Sequence, residues 1–224
     1  MLGVLYDIHG NVPALEAVLA DAKRAGVDRW LLGGDYGTPS PWPLETLARL
    51  RELDDATWIR GNGERWLREP PMDRPEVMQS YELFTGGLPE EAVDWLYALP
   101  ERAEIDGVLY VHGSPLSDVE SFAPQPQEGE ARMLAGVRDR IVVFGHSHQQ
   151  FTRPGPDGTT LLNPGSVGMP LDGDRRAAWA VSERPGEFWF ERTDYDVERA
   201  AVAYRLMGGQ FGEFAARRIE RGSD

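Results

Sequence analysis

Leu2-Gly3-Val4-Leu5-Tyr6-Asp7-Ile8-His9-Gly10-Asn11-Val12-Pro13, near the start of the chain, is the stretch whose reading decides the fold. Residues 2–6 form a short apolar run of the kind that makes a buried strand, and Asp7 and Gly10 end it. Residues 13–25 then carry Leu15, Val18, Leu19 and Ala22 at helical spacing, with Asn11 or Val12 at the start, Pro13 in the first turn and Gly26 just past the end. The expected opening is therefore strand, loop, helix. The pattern recurs downstream. Residues 30–32 read as a second buried strand ended by Gly33-Gly34-Asp35, residues 44–53 as a helix, and residues 57–59 as a third strand ended by Gly61-Asn62. Two further strands, 108–111 and 141–144, end in His112 and in Gly145-His146-Ser147-His148. Strands alternating with helices predict an α/β protein with a parallel sheet covered on both faces.

Between and beyond these units the pattern changes. Residues 65–100 contain Pro70, Pro71 and Pro75 and two helical pieces, the second beginning at Pro89 with Glu90 and Glu91 in its first turn. This stretch is read as a helical insertion near the site. Its aromatic residues Trp66, Tyr81, Phe84 and Trp95 are expected to pack in a core, with stacking on a nucleobase as the alternative. Residues 115–128 form a loop rich in proline and acid, and the acidic residues of 118–130 read as solvated. Residues 159–162, 177–182 and 187–193 are short strands separated by Gly and Pro turns. A helical tail over about 196–220 is broken at Gly208-Gly209. Residues 1–224 are read as one domain, because candidate site residues run from 7 to 148 and have to converge.

Bulk composition limits the function. The net charge of −14 repels phosphate backbones and argues against a long nucleic-acid groove, although bound metals could reverse the sign locally for a small phosphorylated substrate. With no cysteine, disulfides, zinc thiolates, iron–sulfur clusters and thiol catalysis are excluded. No apolar run is long enough to span a bilayer, and the immediate start of a strand leaves no room for a signal peptide, so a cytoplasmic location is expected.

The chemistry is carried by the histidines. There are four, and each lies in a motif at a strand end with a ligand-type partner nearby: Asp7-Ile8-His9, Val111-His112-Gly113, and His146-Ser147-His148. With Asp35 and Asn62, five strand ends deliver Asp7, His9, Asp35, Asn62, His112, His146 and His148 to the sheet edge where ligands bind in open α/β sheets. Asp7 and His9, like His146 and His148, are two residues apart, and in extended backbone such pairs point the same way. If both Asp are ionised, two divalent ions leave the cluster with a charge of about +2, suited to attracting a phosphate and lowering the pKa of a water. Mixed nitrogen and oxygen ligands suit manganese, iron, cobalt, nickel or zinc better than magnesium or calcium.

The order Asp-x-His, Gly-Asp, Gly-Asn, Val-His-Gly and Gly-His-x-His resembles the calcineurin-like metallophosphoesterase superfamily. Residues 7–11, Gly113-Ser114-Pro115 and Asn163-Pro164-Gly165-Ser166-Val167 resemble its small prokaryotic phosphodiesterase branch. The resemblance implies two packed, mixed β-sheets flanked by helices. It implies one metal held by Asp7, His9, Asp35 and His148 and another by Asp35, Asn62, His112 and His146, Asp35 bridging, with two divalent transition metals, manganese first. The implied reaction is attack of metal-activated hydroxide on the phosphorus of a small phosphodiester, a cyclic nucleotide or similar. Asp35, Asn62 and His112 form the catalytic set, Asp35 helping to place the nucleophile and Asn62 steadying the phosphoryl oxygens. Alternatives are a phosphomonoesterase, a dinucleoside polyphosphate hydrolase, or a non-catalytic interaction module on the same fold.

One position departs from the pattern. Many relatives have His after Gly-Asn, where it helps protonate the leaving group, whereas this chain has Gly61-Asn62-Gly63-Glu64. On this reading the enzyme favours good leaving groups or protonates them through metal-bound water, and Gly63→His would raise turnover on poor ones. Asn11 is expected to cap the first helix, with a role at the site as the alternative, residues 163–167 to form a turn under the site, Glu64 to lie at the surface or a hinge, with replacement of the missing acid as the alternative, and Arg217 and Arg218 to be basic residues at a helix end, with phosphate binding as the other possibility.

Overall fold

Strand β1 (Leu2–Leu5) lies at the centre of a five-stranded sheet in the computed structural model, which describes residues 1–72 and 87–224. On one side β1 pairs in parallel with β2 (Arg29–Leu32), which pairs in parallel with β3 (Ala56–Trp58). On the other side it pairs antiparallel with β9 (Ala177–Arg184), which pairs antiparallel with β10 (Glu187–Thr193). A second sheet has the order β4 (Arg102–Ile105), β5 (Val108–Val111), β6 (Ile141–Val143), β8 (Thr160–Pro164), β7 (Gln150–Pro154). Its three central strands are parallel and its two edge strands antiparallel. The architecture is thus two mixed sheets flanked by helices, as the resemblance implies, and not the single parallel sheet expected from the alternation of elements. The reason is that a strand buried on both faces has the same apolar pattern whether a helix or a second sheet covers it.

The alternation along β1 makes the layering. Leu2, Val4 and Tyr6 face the second sheet and pack with Leu31, Ile59, Val108, Tyr110, Val143 and Leu162. Leu5 faces the other way, into a core with Leu15 and Val18 of α1 (Val12–Ala25) and Leu47 and Leu50 of α2 (Pro43–Arg51). Asn11 caps α1, its side chain accepting from Ala14 N at 3.2 Å, and Gly26 ends it at φ 83°. The outer face of the second sheet is covered by Phe122, Leu134 and Met133 of a short helix, α5 (Glu130–Met133).

Around residues 65–100, α3 (Asn62–Trp66) leads in and α4 (Glu90–Tyr97) leads out. Trp66 is buried, and Trp95 packs edge-on against Trp58 with ring centroids 5.0 Å apart, as expected for core residues. Pro75, Tyr81 and Phe84 lie outside the described residues. The acidic loop is not simply solvated. Asp118 takes a two-pronged ion pair from Arg65 at 2.6 and 2.9 Å, and Glu130 is buried against Arg153. In the tail, α6 (Val197–Leu206), capped by Asp196, packs Ala200, Ala201 and Tyr204 against Ala215, Ala216 and Ile219 of α7 (Gly209–Arg221). Among the described residues no helix is long and apolar enough to cross a membrane.

Candidate metal centre

β1, β2, β3, β5 and β6 all release their last residues at one edge of the packed sheets, and the seven side chains singled out from the sequence converge there. His9 Nε2 lies 3.0 Å from His148 Nε2, 3.9 Å from Asp7 Oδ1 and 3.8 Å from Asp35 Oδ2. His148 Nε2 is 3.5 Å from Asp7 Oδ1. Across the cluster His112 Nε2 is 3.5 Å from Asp35 Oδ1, 3.9 Å from Asp7 Oδ1 and 3.1 Å from Asn62 Oδ1, and His146 Nδ1 is 2.8 Å from that same amide oxygen. Two overlapping groups result, Asp7–His9–His148 and Asp7–Asp35–His112, each with ligand-type atoms within 4.8 Å of one another. Asp7 is common to both, and Asp35 turns one oxygen toward each side.

The backbone that aims these groups is not extended. Asp7, His9, Asp35, His146 and His148 have φ of 52°, 47°, 53°, 63° and 58°. The expectation that each two-residue pair converges through extended geometry is therefore corrected: left-handed residues turn the side chains inward. This conformation costs an L-residue about 1–2 kcal/mol, so surrounding bonds must hold it. His9 N donates to Asp35 O at 2.9 Å, Gly10 N to Tyr36 O at 2.7 Å, and Gly145 N to His112 O at 2.7 Å. The strand-end glycines permit the crowding. A β carbon at Gly145 would sit 2.5 Å from Asp7 Oδ2, the oxygen that accepts from His146 N at 2.9 Å.

Backbone carbonyls orient the imidazoles. His112 Nδ1 lies 2.9 Å from Gly33 O and His148 Nδ1 2.8 Å from Met169 O, so these nitrogens carry a hydrogen and both Nε2 atoms face the cluster. The expected turn of residues 163–167 lies beneath, with Gly168 and Met169 following it. Ser166 Oγ donates to Asp7 O at 2.7 Å, Asn163 Nδ2 to Gly145 O at 2.9 Å, and Asn11 Nδ2 to Gly168 O at 2.8 Å.

Glu64 was misjudged from the sequence. It is 1% exposed, and its carboxylate accepts from Asp35 N at 2.8 Å, Tyr36 N at 2.8 Å and Gly61 N at 2.9 Å, tying the ends of β2 and β3 together behind the cluster. The legible signal was its position three residues after Gly61 at a helix start, where an acidic side chain reaches back to the capping residue. Gly63 also has a structural reason to lack a side chain. Its N–H donates to Asp35 Oδ1 at 2.7 Å, and a β carbon there would lie 2.9 Å from that oxygen. A side chain at Gly63 would thus need Asp35 Oδ1 to shift, a crowding cost that Gly63→His would have to meet before any gain of function.

Burial and mutual repulsion tune the cluster toward cation binding. Burial, aided by the nearby His148, drives the His9 pKa down to about 3, and burial together with His112 takes His146 down to about 4, so both are neutral at pH 7. Burial pushes Asp35 up to about 7. Burial opposes charge on His112 too, but Asp35 and Asp7 beside it prevail and raise it to about 9. Asp7 lies below the usual carboxylate range, because His148, His112 and His9 outweigh its burial. Asp7 Oδ1 is buried with no hydrogen-bond partner. Asn62, turned with its oxygen inward, faces two imidazole nitrogens; turned over, its amide donates to both, at 2.8 and 3.1 Å. An orphaned carboxylate oxygen and several lone pairs aimed at one volume fit divalent cations of the borderline class.

Comparison with known proteins agrees with this geometry. A family model described as the calcineurin-like phosphoesterase superfamily domain matches residues 1–184. An uncharacterized protein of Methanocaldococcus jannaschii is 25% identical over 226 residues, covering 89% of this chain and 90% of its own. The crystal structure of a metallophosphoesterase from Sphaerobacter thermophilus superposes with a TM-score of 0.78 at 25% identity, over 99% of both chains. A hypothetical protein from Pyrococcus horikoshii has the same fold, with a TM-score of 0.80 at 20% identity over 100% of both chains.

Proposed function

Because the chain belongs to the calcineurin-like phosphoesterase superfamily, we propose that it is a binuclear metal-dependent hydrolase of a small phosphodiester, a cyclic nucleotide or a compound like it. The observation that carries the reading is the convergence of seven ligand-type side chains from five strand ends, five of them in two groups that share Asp7 and the other two, Asn62 and His146, in contact with each other beside His112. Asp7, His9 and His148 would hold one ion and Asn62, His112 and His146 the other, with Asp35, whose two oxygens face the two sides, shared between them. Two divalent ions, manganese first, would supply Lewis acidity toward the phosphoryl oxygens and an acidified water as nucleophile.

The chain's own residues have distinct tasks. Asp35, fixed by Glu64 and Gly63, keeps the two halves of the centre in register. Asn62 has an amide nitrogen left over when its oxygen holds an ion, and that group would face the oxygens of the reacting group; His112, oriented by Gly33 O, would hold the ion beside them, and their fixed orientation spares reorganisation as charge builds there. Among the described residues every histidine belongs to the ligand set, and Asp118 is held as a carboxylate below its usual range, burial being outweighed by Arg65. Among the described residues neither a further histidine nor Asp118 is thus left to protonate a leaving oxygen, which favours substrates whose leaving group departs as an anion or is protonated through metal-bound water.

The test is hydrolysis of bis-p-nitrophenyl phosphate beside p-nitrophenyl phosphate by protein stripped of metal and then given Mn²⁺, with His112→Ala as control. Turnover that requires both metal and His112 and is faster on the diester is expected. A faster monoester would move the assignment to a phosphomonoesterase. No turnover of either by metal-loaded protein would favour a non-catalytic interaction module.

A further inference from the structure

Asn62, His112 and His146 reach one volume from different sheets. Asn62 follows β3 of the first sheet, whereas His112 and His146 follow β5 and β6 of the second. Their meeting depends on what joins the two sheets at this point. Glu64 and Gly63 bind the start of α3 to Asp35, on the side of the first sheet. Arg65, one turn after Asn62 on the same short helix, binds it to the second. Its Nε and Nη2 donate to the two oxygens of Asp118 at 2.6 and 2.9 Å, and the two side chains are 25% and 23% exposed. A two-pronged, charge-assisted pair with this much burial is stronger and less screened than the ion pairs of an open surface.

Asp118 lies in a loop that is closed on itself and fitted against both histidine strand ends. A β carbon on Gly113, the residue after His112, would sit 2.7 Å from Ser117 O and 2.9 Å from the carbonyl carbon of Asp118. Ser114 N donates to Ser117 O at 2.7 Å, and Ser117 Oγ accepts from Val119 N and Glu120 N, each at 3.2 Å. Ser121 Oγ donates at 3.1 Å to Gly145 O, one residue before His146. The carbonyl oxygen of Asp118 is 3.3 Å from the amide atom of Asn62 that faces His112 and His146. The other half of the centre is fastened differently. Asp7 is held by Ser166, His148 by the carbonyl of Met169, and the His9 carbonyl accepts from the Tyr204 hydroxyl. Among the described residues, none of the hydrogen bonds of Asp7, His9 or His148 goes to residues 113–121.

We propose that Arg65 and Asp118 are positioning residues for the Asn62–His112–His146 half of the centre alone, so that their ion pair sets the affinity of one of the two metal ions and leaves the other unaffected. This rests on the binuclear reading of the site. The test is calorimetric titration of Mn²⁺ into metal-stripped wild-type protein, Arg65→Ala, Arg65→Lys, Asp118→Ala and Arg132→Ala, with electron paramagnetic resonance of each loaded sample. Arg65→Ala and Asp118→Ala should weaken one Mn²⁺ site about 10- to 100-fold and leave the other within about twofold of wild type. At limiting metal the spin-coupled pair of the wild type should give way to isolated Mn²⁺. Arg65→Lys keeps the charge but not the planar fork, and should weaken the same site by a smaller factor. Arg132→Ala is the control. It breaks a two-pronged pair with Glu120 of the same loop, but these side chains are 60% and 44% exposed, and both sites should stay within about twofold of wild type. His148→Ala, which removes a candidate ligand of the other half, should leave one strong site, and adding Arg65→Ala to it should weaken that one as well. Two sites within twofold of wild type in Arg65→Ala and Asp118→Ala, equal weakening of both sites, an equal loss in Arg132→Ala, or a site in His148→Ala indifferent to Arg65→Ala would overturn the proposal alone. Wild-type protein that binds fewer than two ions would sink the binuclear reading, and the proposal with it.

Discussion

The two edges of the packed sheets use the same strained backbone for opposite ends. Ten residues other than glycine have positive φ among the described residues. Five of them, Asp7, His9, Asp35, His146 and His148, lie at the edge where the parallel strands finish, largely buried and within contact of one another. The others, Asp55, Asp106, Ala135, Asp139 and Asp157, are all exposed, and Asp55, Asp106, Asp139 and Asp157 lie in turns near the strands' opposite edge. At that edge a left-handed aspartate solves a local problem, since Asp106-Gly107 and Asp157-Gly158 each supply the two positive φ values that a tight hairpin needs. At the site edge the same conformation solves no chain-reversal problem that glycine would not solve better. Its persistence in residues with ionisable side chains indicates that the side chains justify the strain.

The largest effect should follow from changing the charge at the site edge while keeping its shape. Asparagine tolerates left-handed backbone, so Asp7→Asn should fold. It removes the carboxylate common to both candidate ligand groups, and turnover of an aryl phosphodiester should fall by about 10²–10³-fold or more, with metal content by elemental analysis falling in parallel. Full metal and full activity in Asp7→Asn would show that the two edges are not functionally different. Gly63→His probes crowding at the same edge. With a β carbon due 2.9 Å from Asp35 Oδ1, it should weaken metal binding by about tenfold or more and lower turnover, whereas increased turnover on a poor leaving group would mean that Asp35 can yield.

Glu64 ranks next because it acts on the backbone behind the ligands. Glu64→Gln keeps the size but offers one oxygen to the three N–H groups of Asp35, Tyr36 and Gly61. Leaving a buried donor unsatisfied costs about 1–3 kcal/mol, which denaturant unfolding should detect, and the looser Asp35 should reduce metal affinity about 10- to 100-fold. Unchanged stability and affinity would return Glu64 to the surface role read from the sequence.

That misreading marks where sequence legibility ends. The site edge was legible because each candidate ligand follows an apolar strand and the histidines occur nowhere else; the structure brings the seven side chains together there. Glu64 is harder to read, since its place three residues after Gly61 is a capping signal that glycine, in place of Ser or Thr at the cap, leaves weak. The strands β4 and β7 were missed for a related reason. They are edge strands, Arg-Ala-Glu-Ile and Gln-Phe-Thr-Arg-Pro, each with one half-polar face and no buried run to announce them. The Asp-Gly pairs beside them were the available signal. Asp118 read as solvated because its partner, Arg65, is 53 residues away in sequence.

Protonation separates the edges more gently. In the metal-free protein Asp35 is raised to about 7 and His112 to about 9, so both retain protons that a metal must displace. His9 and His146, lowered to about 3 and 4, have none to lose at neutral pH. Metal uptake should therefore release protons, and affinity should climb as pH rises from about 6 to 9, by up to about tenfold per pH unit for each proton displaced. Calorimetry in buffers of different ionisation enthalpy reads the proton count directly. A pH-independent affinity over that range would mean that neither Asp35 nor His112 takes part in binding.

The smallest effect belongs to the far edge. In the β7–β8 hairpin, Thr159 N donates to Pro156 O at 3.0 Å across Asp157 and Gly158, whose φ values are 52° and 71°. Asp157→Gly relieves the side chain's left-handed cost of about 1–2 kcal/mol but frees the unfolded chain by a similar amount, so stability should change by less than about 1 kcal/mol in either direction. Metal content and turnover should not change at all. Asp157→Asn, which keeps a side chain suited to this conformation, should be closer still to wild type. If either variant lost metal or activity, the far edge would be coupled to the centre through β8 and the Asn163 turn, and the division between a strained functional edge and a merely turning one would fail.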